Sequence, residues 1–260
     1  MPSCYAHYRF GAEMLHFFPD GARKLAQRDR ALYDAGTHGP DFFFYDNPFR
    51  RTAVVELGSK AHRLTGKAFF GRVVRNLHLM GDERGKAYLY GVLTHFALDS
   101  VCHPLIVASE KAGVASHTAM ESEFDRFLLE LDGKNPPENQ DLSLHLRLTA
   151  GQRKVISRIY GDTERKHVDS CLQKQYFYTK LLCIGGWKRR VLRKGMEVVA
   201  ESALDMLIPD QPNMRCREIN ERLADRYRKA AAVFPGMAEQ LHRFIEYNIP
   251  LGEEFSVIFG

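Results

Sequence analysis

Hydrophobic positions recur every three to four residues along most of the chain, which is the spacing of an amphipathic α-helix. This pattern predicts helices in "AEMLHFF" near the amino terminus, from Ser59 to about Met80, and in "KAYLYGVLTHFALDSVCHPLI" as far as Pro104. Residues 34–50 are rich in Gly, Pro, Asp and Asn, and they predict a loop. Glycine-bounded runs of β-branched residues are scarce, so we expect an all-α protein.

A further helix is predicted between Ser116, which is a suitable N-cap, and Gly133, which is typical of a helix end. The segment "DGKNPPENQDLS" is the best linker in the chain, and residues 150–250 again have the pattern of amphipathic helices. This linker permits two domains, but a single all-α domain spanning residues 1–260 is the simpler interpretation.

Three polar side chains interrupt the apolar segment that ends at Pro104. His95, Asp99 and His103 are four residues apart, so on a helix they lie on one face. Their neighbours are apolar, which predicts a largely buried helix. A buried carboxylate between two imidazoles is costly unless another interaction compensates it. A hydrogen-bonded core network or a bound metal would compensate, and three such residues in register favour the metal.

His117 and Glu121 form a second pair at four-residue spacing, at the start of the next predicted helix. The pair is a weak signal alone, but it adds two ligands of the same chemical type. Imidazole and carboxylate ligands without thiolate suit Zn²⁺, and also Fe or Mn.

Three further residues are candidates for such a site: His7 near the amino terminus, Asp41 in a Gly-Pro loop, and His62 in a predicted helix. Each alone is more typical of an ordinary surface or core residue, and His38 competes with all of them. The other histidines have no partner at ligand spacing and are interpreted as structural or surface residues: His16, His78, His145, His167 and His242.

The composition is that of a globular protein, with 260 residues of which 45% are hydrophobic and 27% charged. A net charge of +5 is too mild to predict nucleic-acid binding.

Five cysteines without a C-x-x-C motif predict free thiols, with Cys102 as a buried apolar residue. The amino terminus lacks a secretory pattern and no uninterrupted apolar run of about 18 residues occurs, so we expect no transmembrane helix and a cytoplasmic location.

The ordered set of candidate ligands resembles the zinc-dependent phospholipase C family, whose superfamily includes the S1/P1-type nucleases. The residues that carry the resemblance are, in order, His7, Asp41 within "GPD", His62, His-x-x-x-Asp-x-x-x-His-Pro at 95–104, and His-x-x-x-Glu at 117–121. The resemblance implies a single multi-helical all-α domain of the phospholipase C / P1 nuclease type. Its metal ligands would lie within residues 1–130, and residues 131–260 would supply supporting helices.

The resemblance also implies a zinc cluster at the base of a cleft. Asp41, His62 and His95 would hold one zinc ion, with Asp99 bridging this ion to a neighbour. Asp41 would in addition orient or deprotonate the attacking water.

A second zinc ion would be held by His103, His117 and Glu121. The third zinc of the family uses an early histidine, which corresponds to His7, together with the bridging aspartate and a free amino terminus. The family exposes a tryptophan amine there, whereas this chain has no tryptophan near its start and offers a Pro2 amine after removal of Met1. We therefore expect two or three Zn²⁺ ions.

The function implied by the resemblance is a metal-dependent hydrolase that cleaves a phosphodiester by means of a metal-activated water. Its substrate would be a phospholipid or a small-molecule phosphodiester. Two alternatives stay open: a nucleotide or nucleic-acid phosphodiesterase on the same scaffold, and a non-catalytic, metal-stabilised helical protein.

Two segments bear on the substrate and on partners. "FFFY" at 42–45 is interpreted first as core packing and second as an apolar wall beside the metal site. "WKRRVLRKGMEVV" at 187–199 is basic and partly amphipathic. A solvated helix face is its first interpretation, and peripheral contact with an anionic membrane is the second. Nucleic acid is not expected as a partner.

Overall fold

The computed structural model of the chain describes residues 4–48, 50–199 and 201–260. These residues form eleven α-helices and no β-strand, which confirms the all-α prediction. The α-helices are α1 (Cys4–Met14), α2 (Asp20–Arg28), α3 (Arg30–Gly36), α4 (Ala53–His62), α5 (Gly66–Met80), α6 (Arg84–Lys111), α7 (His117–Leu131), α8 (Ala150–Ile159), α9 (Asp162–Leu182), α10 (Gly186–Val199) and α11 (Arg217–Tyr247). Short 3₁₀ helices lie at Leu15–Phe17, Asp41–Asp46, Pro137–Asn139, Leu144–Leu146, Glu201–Met206, Met214–Cys216 and Glu253–Phe255.

The central helix of the fold is α6, which packs against α2, α3 and α11. Most of its side chains are buried on all sides, as the apolar neighbours of the polar stripe predict. By length and hydropathy α6 would suffice to cross a membrane, but 67% of its most apolar window is buried inside the protein. α6 is therefore a core helix of this fold.

One hydrophobic core includes residues from both sides of the predicted linker. α11, from the carboxyl-terminal part of the chain, packs against α6 and α7. The helices after residue 131 thus support the helices that carry the polar residues. The single-domain interpretation of residues 1–260 stays a prediction.

Two predicted helix boundaries are wrong. α6 does not end at Pro104 but continues to Lys111. Burial of its apolar side chains outweighs the loss of a helical hydrogen bond at proline, which costs about 3 kcal/mol. The helix predicted over 59–80 is two helices, because the Thr65 hydroxyl caps the start of α5. His62 consequently lies at the last position of α4.

The other boundaries agree in part with the prediction. The helix predicted in "AEMLHFF" is the end of α1, which begins earlier, at Cys4. The predicted loop over 34–50 contains the end of α3 and the 3₁₀ helix Asp41–Asp46. Ser116 caps α7 with its side chain, as predicted, and Gly133 adopts a positive φ of 70° just beyond the end of that helix.

α3 and α6 approach each other at two glycines. A Cβ at Gly91 would lie 2.0 Å from the carbonyl oxygen of Tyr33, and a Cβ at Gly36 would lie 2.2 Å from that of Tyr88. Because only a hydrogen atom fits at these positions, the two helix backbones touch. This contact fixes α6 relative to the segment after α3, which carries Asp41.

Gly91→Ala should therefore destabilise the protein by at least about 3 kcal/mol, because the opposing atoms belong to the backbone and cannot move aside. Gly71→Ala is the matched control in α5, where a Cβ meets no atom of the described residues within 4 Å. This control should stabilise the helix by about 0.5–1 kcal/mol. Denaturant unfolding measures both changes, and equal stability of the two variants would contradict the close approach.

Candidate metal centre

The structure brings all eight predicted site residues to one place. They come from α1, the 3₁₀ helix after α3, the end of α4, the middle of α6 and the beginning of α7. Their ligand atoms form three groups, and within each group these atoms lie within 4.8 Å of one another. The groups are His7–His95–Asp99, Asp41–His62–His95 and His103–His117–Glu121.

Asp99 lies between histidines of all three groups. Its Oδ1 is 3.2 Å from His7 Nε2, and its Oδ2 is 3.0 Å from His95 Nε2 and 3.5 Å from His103 Nε2. The rings of His7 and His95 stack with centroids 4.3 Å apart. One carboxylate therefore faces three imidazoles, which is the arrangement that a bridging ligand requires.

The second group is built around Asp41 and His62. Asp41 Oδ1 lies 2.9 Å from His62 Nε2 and 3.9 Å from His95 Nε2. His62 Nδ1 lies 2.8 Å from the carbonyl oxygen of Gly58, to which an Nδ1–H donates. This bond holds the ring with Nε2 towards Asp41, and a backbone carbonyl on the far nitrogen is typical of metal-ligating histidines.

The third group lies between α6 and α7, closer to solvent than the other two. His117 Nε2 is 3.1 Å from Glu121 Oε1, and His103 Nε2 is 3.6 Å from the same oxygen. The two imidazole rings are nearly perpendicular, with centroids 5.1 Å apart. Both histidines are half-buried, whereas Glu121 is buried.

Hydrogen bonds do not explain how the buried imidazole of His95 is stabilised. This side chain is fully buried, yet neither ring nitrogen has a hydrogen-bond partner among the described residues. Its Nε2 lies close to two carboxylates, Asp99 and Asp41, without the alignment of a hydrogen bond. A cation between imidazole and carboxylates would satisfy this nitrogen, so the donor set fits Zn²⁺.

The charges of the centre shift one another's pKa values. Burial disfavours ionised Asp99, but attraction to His103 and its neighbours outweighs burial and holds the pKa of Asp99 well below its usual range. Burial likewise disfavours protonated His7, yet the attraction of Asp99 raises its pKa to about 9. The pKa of Glu121 is lowered because His117 outweighs burial. Without metal, His7 and Asp99 therefore form an imidazolium–carboxylate pair, whose proton a metal ion has to displace.

Side chains from all three groups line a cleft of about 380 Å³, a volume suited to a small ligand or a head group. Both interpretations of "FFFY" apply in part. Phe42, Phe43 and Tyr45 are buried in the core, whereas Phe44 is half-buried and lines the cleft. The remaining lining residues are Ser59, Arg63, Val107 and Gly260.

Sequence reasoning missed the contribution of the carboxyl-terminal residues. The Phe259 ring lies 5.6 Å from the His95 ring, and the Gly260 N–H donates to the carbonyl oxygen of His62. A Cβ on Gly260 would lie 2.9 Å from His103 Nδ1. No motif marks this segment, since its contact with the ligands arises only from the fold.

The histidines without a predicted partner mostly have structural contacts. His78 Nε2 lies 2.9 Å from the carbonyl oxygen of Ile245, and the hydroxyl of Tyr90 lies 2.9 Å from His242 Nδ1. His145 is the exception, because the fold brings its Nε2 to 2.7 Å from His38 Nε2. His38 consequently pairs with His145 and joins none of the three groups described above.

Cys102 is buried in the core, as predicted.

The predicted contribution of a Pro2 amine lies outside the described residues. The choice between two and three zinc ions therefore stays a prediction. The same holds for the ligand role of each of the eight side chains, although the fold brings them within reach of a shared ion.

Comparison with known proteins agrees with the geometry of the centre. Residues 6–180 match the sequence model of the family described as zinc dependent phospholipase C. No curated protein and no solved structure matched the chain. The matched segment covers more than half of the 260 residues and contains all eight residues of the candidate centre. The chain therefore belongs to the zinc-dependent phospholipase C family.

Proposed function

We propose that this protein is a phosphodiesterase that cleaves the phosphodiester of a phospholipid, in the manner of a phospholipase C. The observation that carries the proposal is the convergence of three ligand groups around Asp99 in a cleft of about 380 Å³. Family membership supports a metal-dependent hydrolase, and the lining of the cleft supports the substrate class. A cytoplasmic location is part of the proposal and stays a prediction.

Asp41 is the residue that we assign to the attacking water. Bound Zn²⁺ would supply a nucleophilic water at neutral pH and would neutralise phosphate oxygens. Burial opposes ionisation of Asp41, but attraction to His95 outweighs burial and lowers the pKa of Asp41. Asp41 is therefore a carboxylate at neutral pH, and it lines the cleft where it can accept a hydrogen bond from the water or take its proton.

Two features of the cleft favour a phospholipid head group. Arg63 lines the cleft, and its ion pair with Glu56 is exposed, so a phosphate oxygen can compete for its guanidinium. Phe44 and Val107 supply apolar surface on the same cleft, against which glycerol or the start of an acyl chain would pack. The combination of cationic and apolar walls fits an amphipathic phosphodiester.

A substrate panel tests this proposal on the zinc-loaded protein. We expect release of the phosphorylated head group from phosphatidylcholine vesicles and weaker activity on single-stranded DNA. Asp41→Asn should lower kcat by at least about 100-fold, as the loss of a general base does. Asp46→Asn, in the same 3₁₀ helix but paired with Lys174, should leave kcat nearly unchanged. Preferential cleavage of DNA would overturn the substrate class, and full activity of Asp41→Asn would overturn the role of Asp41.

Peripheral contact with an anionic membrane is the second part of the proposal. On α10, Trp187, Val191 and Val198 lie on one face and are 65%, 60% and 88% exposed. The opposite face of the helix is anchored by buried Arg189 and Met196. Exposed basic residues flank the apolar stripe at Lys188, Arg190 and Lys194. An apolar stripe does not stabilise a helix face that stays in water. On a helix at a membrane interface, the apolar stripe is buried and the basic residues beside it contact anionic head groups.

Binding to vesicles that contain phosphatidylserine should shift the fluorescence of Trp187 to shorter wavelength, since this is the only tryptophan of the chain. Val191→Asp should weaken this binding by at least about tenfold, because it removes apolar burial and adds repulsion. Val233→Asp on α11 is the matched control, being also half-exposed, and should bind like the native chain. Equal weakening by both substitutions would count against α10 as the contact.

A further inference from the structure

A second cluster of metal-competent side chains lies outside the three groups. Cys4, His38 and His145 come from the first turn of α1, the turn after α3 and the 3₁₀ helix Leu144–Leu146. His38 Nε2 is 2.7 Å from His145 Nε2, and Cys4 Sγ is 3.9 Å from His145 Nε2. All three ligand atoms lie within 4.8 Å of one another. Cys4 and His38 are buried, and His145 is half-buried.

We propose that Cys4, His38 and His145 bind one additional Zn²⁺ ion, separate from the candidate catalytic centre. Around a tetrahedral zinc ion with bonds of about 2.0–2.3 Å, ligand atoms stand about 3.3–3.6 Å apart. The observed separations of 2.7 Å and 3.9 Å lie on either side of this range. To reach this range the two imidazole nitrogens have to move apart by about 0.6 Å, and Cys4 Sγ has to approach His145 by about 0.3 Å.

The chemistry of the three side chains suits zinc. A thiolate with two imidazoles is a donor set that selects Zn²⁺ and excludes Mg²⁺ and Ca²⁺. Burial lowers the pKa of His145 to about 3, so its imidazole is neutral and able to ligate. Burial also raises the pKa of the Cys4 thiol, which means that zinc binding has to release one proton from sulfur.

The rings of the cluster pack against one another and against a neighbouring tyrosine. The rings of His38 and His145 stack with centroids 4.9 Å apart, and Tyr8 stacks on His145 at 4.2 Å. This packing holds the His145 ring against Tyr8 and His38, with its Nε2 3.9 Å from Cys4 Sγ. None of the three cluster residues lines the cleft of the candidate catalytic centre, so the substrate does not explain their arrangement.

The position of the cluster indicates what the ion would do. Cys4 is three residues before His7 on α1, and His38 is three residues before Asp41. The third ligand, His145, lies in the segment after the linker. An ion at the cluster would therefore cross-link this segment to the two chain elements that position His7 and Asp41. We infer a structural site with one coordination position left for water.

Cobalt substitution of the full chain tests the site independently of catalysis. The candidate catalytic centre offers only imidazole and carboxylate, so a thiolate-to-cobalt charge-transfer band reports the cluster alone. We expect this band in the native chain, and one more Co²⁺ per chain than in Cys4→Ser. Cys171→Ser replaces another buried thiol, in α9, and should keep both the band and the cobalt content.

His145→Gln provides a second variant, because this half-buried side chain on a short surface turn is replaced without creating a core cavity. It should also bind one Co²⁺ less than the native chain. A cobalt-loaded native chain without a thiolate band would overturn the proposal. So would an unchanged band in Cys4→Ser, since another cysteine would then be the ligand. Neither readout depends on hydrolysis, so the site and the proposed function fail separately.

Discussion

Replacing Asp99 with asparagine is expected to abolish hydrolysis, with a fall in kcat of at least about 10³-fold. Loss of an outer partner of a metal ligand already costs about 10- to 100-fold in metal affinity or activity. Asp99 faces His7, His95 and His103 at 3.0–3.5 Å and is therefore placed to serve more than one ion. An asparagine of the same shape removes the negative charge and one of the two ligand oxygens.

Metal analysis and kinetics of the same preparation check this expectation. Asp99→Asn should retain its helical circular dichroism while it loses at least one Zn²⁺ per chain. Asp34→Asn is the matched control, since Asp34 is also a buried aspartate on a helix but pairs with Arg30. The control should keep its zinc and its activity. If Asp99→Asn kept both as well, Asp99 could not be the shared ligand.

The prediction succeeded where local geometry alone decides the outcome. His95, Asp99 and His103 lie on one helix face because residues four apart in an α-helix must do so, whatever surrounds them. The N-cap at Ser116 follows from hydroxyl chemistry in the same way. The apolar neighbours of the stripe also predicted that α6 would be buried, since nothing else compensates for exposing them.

The prediction failed where long-range packing decides. Pro104 ends an isolated helix, but in α6 the contacts with surrounding helices offset the local cost. Phe259 and Gly260 contact His95 and His62, which are far from them in sequence, and no residue spacing predicts these contacts. His145 has no ligand partner nearby in sequence, yet the fold places it against His38.

These outcomes show how the candidate centre depends on the fold. The stripe on α6 supplies three of the eight residues, and the others reach it from four further elements. The backbone contact at Gly36 and Gly91 fixes α6 against α3, and thereby places Asp41 near His95. A sequence pattern can identify candidate ligands on one helix, because helix geometry fixes their spacing. The other five candidate ligands lie on other elements of the chain, and only the resemblance to a family assigns them to the same site without the structure.

Removal of metal by a chelator is expected to abolish hydrolysis and to lower the melting temperature of the protein by roughly 10 °C. A ligand at about 1,000 times its Kd stabilises the folded state by about 4 kcal/mol. In a chain of this size, each kcal/mol corresponds to about 2–4 °C. The helices should persist without metal, because the buried carboxylates are still paired with protonated imidazoles such as His7.

The size of this shift in melting temperature should depend on pH. The pKa of His7 in the metal-free protein is about 9, well above the value of 6.5 in an unfolded chain. The His7–Asp99 pair therefore stabilises the metal-free protein fully below pH 6.5, and this contribution is lost as the pH rises through 9. Zinc binds the neutral imidazole, so its affinity rises over the same interval, by about tenfold for each pH unit.

The difference in melting temperature between zinc-loaded and zinc-free protein should accordingly widen from pH 6.5 to pH 9. Thermal unfolding of both forms across this range measures it. His78→Gln is a suitable control, because His78 contacts a backbone carbonyl away from the centre and should leave the pH dependence unchanged. His7→Gln should flatten the dependence. A constant difference in the native chain would mean that zinc does not compete with the proton of His7, and that His7 is not among the ligands.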